Sequence, residues 1–264
     1  MTTLELSQLR SQSEPRPPLA AFGNMVLNEA RLAWRQPAGM IAGAGIALLL
    51  LIIFGEIPAF KQASSSLGGY STFDVYIPIL MGFSIAIIAF LYLPGPLVSY
   101  RELGILRRLS TTPVPAYWVL AAQIVVQACL MAVTLALIVT VSIVFFGISA
   151  PQNPAAMVLA IALCMAALFA IGLAIAALAR TSGAARGLMA AALYPLMFFS
   201  GLYYPVQLMP AVIQDISDYT PLYAAVQAIG AAWVGQFPAT RSLLVMAGYA
   251  LVFGFLAKRF FRWE

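Results

Sequence analysis

Long apolar runs separated by short polar stretches dominate the chain. Six of them, at about 38–55, 75–98, 117–147, 156–179, 188–204 and 242–257, have about the length, roughly 17 to 25 residues, that a helix needs to cross hydrocarbon. The pattern predicts six membrane-spanning helices and leaves no room for a second domain. Residues 1–19 are polar and end in Pro15, Pro17 and Pro18, a composition that cannot bury enough apolar surface to fold alone, so they read as a flexible cytoplasmic tail before a single domain at 20–264. From Ala20 to Gln36 the pattern turns amphipathic: Asn24, Asn28, Arg31 and Arg35 recur at helical spacing while Phe22, Val26, Ala30 and Ala33 fill another face. With Trp34 at its membrane end, this predicts an interfacial helix lying on the cytoplasmic leaflet before the turn at Pro37.

Several runs carry internal detail. The second ends in Pro94-Gly95-Pro96, where lost backbone hydrogen bonds are expected to kink or loosen the helix. The third run, about 31 residues or ~46 Å as helix, must tilt or project into the cytoplasm. On it Gln123, Gln127 and Thr134 share a face. Polar groups in lipid turn toward a partner or a pathway, so this stripe either lines a substrate route or hydrogen-bonds to a neighbouring helix. In the fourth run Ala162, Ala166, Ala170 and Ala174 form a small-residue ridge expected to pack against another helix. Past the fifth, Ser200-Gly201-Leu202-Tyr203-Tyr204-Pro205 through Thr220-Pro221-Leu222-Tyr223 is apolar yet broken by Pro205, Pro210, Asp215, Asp218 and Pro221. Non-helical backbone at membrane depth survives only under cover, which predicts two short re-entrant helices at about 206–217 and 221–233. Phe198, Phe199, Tyr203 and Tyr204 there either line a pathway and its gate, with Gly201 supplying the turn, or form an ordinary interfacial belt.

Composition narrows the chemistry. The chain is 62% apolar with mean hydropathy +0.94 and only 9% charged residues, which excludes a soluble enzyme. It has no histidine, so the commonest general base and metal ligand are both missing, and neither a catalytic nor a metal site is expected. Cys129 and Cys164 fall mid-span and read as buried apolar residues.

Charge sets the orientation. With the N-terminus inside and six spans threaded, Arg10, Arg16, Arg31, Arg35, Arg101, Arg107, Arg108, Arg180, Arg186, Lys258, Arg259 and Arg262 fall on the cytoplasmic side, and only Lys61 and Arg241 outside. This is the asymmetry of the positive-inside rule, and it places both termini in the cytoplasm of a multi-pass plasma (inner) membrane protein. Arginines at span ends face anionic lipid headgroups, so the basic balance calls for membrane lipids and not for nucleic acid.

The segment Tyr100-Arg101-Glu102-Leu103-Gly104-Ile105-Leu106-Arg107-Arg108-Leu109-Ser110-Thr111-Thr112-Pro113 places four charges between Arg101 and Arg108, which in so apolar a chain points to docking of a soluble partner. Glu102 is expected at the start of a short cytoplasmic helix, with Arg107 and Arg108 near its other end, each complementing a pole of the dipole. Arg180 and Arg186 flank the Thr181-Ser182-Gly183 turn as anchors or as a minor second contact.

Together, Arg101-Glu102-x-Gly104 followed by Arg107-Arg108-Leu109 and Thr112-Pro113, and Ser200-Gly201-Leu202-Tyr203-Tyr204-Pro205 followed by Thr220-Pro221-Leu222, resemble the permease subunits of type-2 ABC exporters over nearly the whole chain. The resemblance implies an all-α membrane protein of six transmembrane helices with an N-terminal interfacial helix, a cytoplasmic coupling helix and external re-entrant helices. It implies that Arg101, Glu102, Gly104, Arg107, Arg108, Thr112 and Pro113 couple the permease to an ATPase. No G-x-x-x-x-G-K-[ST] phosphate loop occurs in the chain, so two separate ATPase subunits would carry ATP and Mg. Two permeases, identical or related, would pair around a route for an amphipathic drug-like, lipid or lipid-linked substrate. The alternatives are an ion-driven carrier, which would place ionisable groups within the spans, and a lipid-modifying membrane enzyme, which would need convergent acids and bases. The acids Glu56, Asp74, Asp215 and Asp218 are instead scattered over external loops.

Overall fold

The computed structural model describes residues 19–35, 44–62, 71–104, 117–179 and 181–260. Helix α1 (Leu19–Arg35) packs along α5 (Tyr117–Phe146), with Phe22 meeting Trp118 edge to face at 5.1 Å. Helix α2 (Ile46–Glu56) ends in a 3-10 turn at Pro58–Lys61. Helix α3 (Thr72–Ile87) starts on a capping box: the Ser71 hydroxyl accepts from the Asp74 N–H, and the Asp74 carboxylate accepts from the Ser71 N–H, satisfying two donors at once.

A π-helical turn at Ile88–Tyr92 joins α3 to α4 (Pro94–Glu102). The loosening expected around Pro94-Gly95-Pro96 takes the form of this π turn, after which the helix resumes. Pro94 occupies the first turn of α4, where its missing N–H costs nothing, so helical structure runs from Thr72 to Glu102. Here the expectation for Glu102 is corrected. It is the last residue of α4, followed by a turn at Leu103 and Gly104, and not the start of a helix.

Helix α6 (Pro154–Leu178), α7 (Ser182–Phe199), α8 (Ala211–Asp218), α9 (Pro221–Trp233) and α10 (Thr240–Phe260) complete the described fold. Among the described residues, four helices are long and apolar enough to cross a membrane: Thr72–Glu102, Trp118–Phe146, Pro154–Leu178 and Thr240–Phe260. The chain is a membrane protein. The first third of the expected first span lies outside the described residues, leaving α2 as a short apolar helix. The expected fifth span forms α7, where Arg186, Tyr194 and Pro195 dilute the apolar run.

In the most apolar 18-residue stretch of the rod Thr72–Glu102, 83% of residues are buried, against 28% in that of α5 and 11% in that of α10, so the middle of the rod forms the core and those two helices present apolar faces outward. Helices α6 and α10 pair extensively, and α9 lies against α3, α6 and α10. The alanine ridge is half as expected: Ala170 and Ala174 are buried, whereas Ala162 and Ala166 are exposed, because α6 turns Ala160, Cys164, Ala167 and Leu168 inward instead. Cys164 is fully buried but Cys129 is exposed on α5, contrary to expectation, since it sits on the face away from the packed neighbours. At Gly172 a Cβ would run into the backbone carbonyl of Ala89. The missing side chain lets α6 approach the π turn backbone to backbone.

Candidate functional site: the charged end of α4

The end of α4 gathers the charged chemistry. The Arg101 guanidinium donates to the carbonyls of Ala176, at 3.5 Å, and Ala179, at the C-terminal end of α6. The neighbouring Glu102 carboxylate accepts from the Ser182 N–H at 2.7 Å and from the Ser182 hydroxyl. Ser182 is the first residue of α7, capped by the Thr181 hydroxyl oxygen, which accepts from the Ala184 N–H at 3.1 Å. Leu103 stands 68% exposed beyond them, and Gly104, at φ 65°, ends the helix in the left-handed region. Arg107, Arg108, Thr112 and Pro113 lie outside the described residues.

Immediately beside it, a second polar cluster joins three helices. The Glu29 carboxylate of α1 accepts from Gln123 Nε2 of α5 at 2.6 Å and from the Tyr100 hydroxyl of α4 at 3.2 Å. Glu29 is half-buried, and desolvation raises its pKa above the ordinary 4.5, partly offset by the Tyr100 hydrogen bond. Sequence reasoning missed Glu29. The available signal was its register: 22, 26, 29 and 33 follow one helical seam, so Glu29 falls on the apolar face of α1 with Phe22, Val26 and Ala33.

The polar stripe on α5 is buried at Gln123, Gln127 and Thr134. Gln123 is committed to Glu29, and the Thr134 hydroxyl donates to the Leu130 carbonyl of its own helix at 3.0 Å.

At the opposite end, Phe198 and Phe199 touch edge to face at 5.3 Å. Gly201 turns the chain at φ 89°, with Val206 against the space a Cβ would fill, while Tyr203 and Tyr204 are exposed. The predicted pair of short helices is α8 and α9, preceded by a 3-10 turn at Val206–Leu208. Asp218, at the end of α8, accepts from Gln227 Nε2 of α9 at 3.1 Å and pairs with Arg241 of α10 at 2.6 Å. Among the described residues, no group of three His, Cys, Asp or Glu is placed to hold a metal ion.

A protein-family model described as ABC-2 type transporter matches residues 20–232. No curated protein matches the chain.

Proposed function

Because the chain belongs to the ABC-2 type transporter family, whose members are membrane permeases working with ABC ATPase subunits, we propose that it is the permease of an ATP-driven exporter. Six spans cross the plasma membrane, the fifth supplied by α7, and both termini face the cytoplasm. Two ATPase subunits bind ATP and Mg, and a second permease, identical or related, completes the pathway. The cargo is amphipathic: drug-like, lipid or lipid-linked.

The observation that carries this reading is the charged end of a deeply buried rod. The helix Thr72–Glu102 runs through the core and ends in Arg101, Glu102 and an exposed Leu103, so a push on that end acts on the whole interior. In this reading Leu103 is an apolar knob seated in a groove of the ATPase, and Arg107, Arg108, Thr112 and Pro113 are coupling residues of the same segment. The opposite end carries the gate, with Gly201 as the turn, Tyr203 and Tyr204 above the pathway, and Phe198 and Phe199 at its wall.

Copurification with co-expressed ABC ATPases from the same genome tests the reading. Tagged wild-type permease is expected to bring the ATPase down from detergent-solubilised membranes, and Leu103→Asp combined with Arg107→Glu to lose most of it while still inserting. Recovery of equal ATPase with that variant, or of none with the wild type, would overturn the docking assignment.

A further inference from the structure

Two adjacent residues of opposite charge, Arg101 and Glu102, reach the two sides of one turn. Arg101 meets carbonyls at the C-terminal end of α6, and Glu102 meets the first N–H and hydroxyl of α7. The last carbonyls and first N–H groups of a helix have no partners of their own, and the dipole makes the first end negative and the second positive. The cation therefore sits at the negative pole and the anion at the positive one. Helix α4 also packs against α6 and α7, and the close approach of Gly172 to Ala89 ties α6 to the π turn that precedes α4.

We propose that Arg101 and Glu102 form a clasp that makes the end of α4 and the α6–α7 turn a single moving unit, so that displacement delivered to the coupling segment is passed directly to α6 and α7. This rests on the reading of the segment as the ATPase contact. Both residues lie on one helical turn, so sliding α6 or α7 relative to α4 strains charge-assisted bonds on both sides of the turn. Arg101 and Glu102 are positioning residues in this scheme: they carry motion between helices and need touch neither ATP nor cargo.

Ser182→Pro isolates the clasp. Proline is favoured at the first position of a helix, where its missing N–H is not needed. It requires an extended residue before it, and Thr181 already has φ −135° and ψ 155°. The substitution removes both donors to Glu102 and leaves α7 intact. A reporter cysteine at Gly187, where a Cβ meets nothing within 4 Å, is placed on α7 in a Cys129→Ala background; fully buried Cys164 stays. Maleimide labelling of the permease–ATPase complex is then compared with and without trapping by ATP, Mg and vanadate.

With Ser182 in place, trapping is expected to change the labelling rate at position 187. With Ser182→Pro that difference should fall several-fold, while the ATPase still copurifies and hydrolyses ATP at its basal rate. A full-sized nucleotide effect in Ser182→Pro, or no effect in its parent, overturns the clasp. If Ser182→Pro does not yield monodisperse protein, Ser182→Ala, which removes the hydroxyl donor to Glu102 and keeps a good helix former at the start of α7, carries the same comparison with a smaller loss. Failure of the docking reading is separately visible, because the Leu103→Asp, Arg107→Glu variant would then retain the ATPase whatever the reporter does.

Discussion

Glu29 shows how much one side chain can hold that the pattern of a helix conceals. Asn24, Asn28, Arg31 and Arg35 were legible as an exposed polar face because they repeat at the period of a helix, and all four are exposed. Glu29 was not legible, because what decides its role is a glutamine about ninety positions further along and a tyrosine from a third helix. Such pairings depend on tertiary placement and leave no local trace. Since burial raises the Glu29 pKa, the folded protein holds that proton more tightly than the unfolded chain. The carboxyl therefore contributes most to stability below pH 4.5, and that contribution declines as pH rises through the folded-state pKa. Glu29→Gln should flatten this part of the pH dependence of the melting temperature. Glu29→Leu should destabilise by about 1 to 3 kcal/mol at neutral pH by stranding Gln123 and Tyr100. Both are read by thermal unfolding in detergent; equal melting temperatures for Leu, Gln and wild type at pH 7 would show the cluster contributes nothing.

Among elements, the joint between α3 and α4 separates what a sequence can announce from what it cannot. Pro94-Gly95-Pro96 announced a disturbance, but the proline geometry alone could not tell a stop from a restart, and the π turn preceding it has no residue signature. What accommodates it is Gly172 on another helix, where backbone meets backbone at Ala89. Gly172→Ala is expected to cost about 1 to 3 kcal/mol by overpacking. Gly187→Ala, in open space on α7, should be neutral or stabilising by about 0.5 to 1 kcal/mol through helix propensity. Unfolding of the two variants side by side checks the contrast, and equal effects would remove the close approach from the account of this joint.

For the molecule as a whole, the class of fold was written in the apolar runs, since length and hydropathy are local quantities that bilayer thickness converts directly into helices. The depth of each helix was not. The rod Thr72–Glu102 and α10 are both apolar, yet 83% of residues are buried in the most apolar stretch of one and 11% in that of the other, because enclosure is decided by which helices surround them. The orientation argued from the arginines predicts that a membrane-impermeant maleimide on intact cells labels Gln207→Cys and leaves Leu103→Cys untouched, in the Cys129→Ala background; both parent residues are exposed. The reverse pattern would invert the topology.

The enclosure of the rod also bears on how the chain is made. Thr72–Glu102 leaves the ribosome well before α6, α9 and α10, and α6 and α9 are among the helices that cover it. During synthesis its future core face must rest against lipid, which an apolar surface tolerates, and the interior closes only when late helices displace that lipid. The permease would thus spend its nascent life inserted but unassembled, with the last step of maturation an exchange of bilayer for protein around a helix that had long been in place.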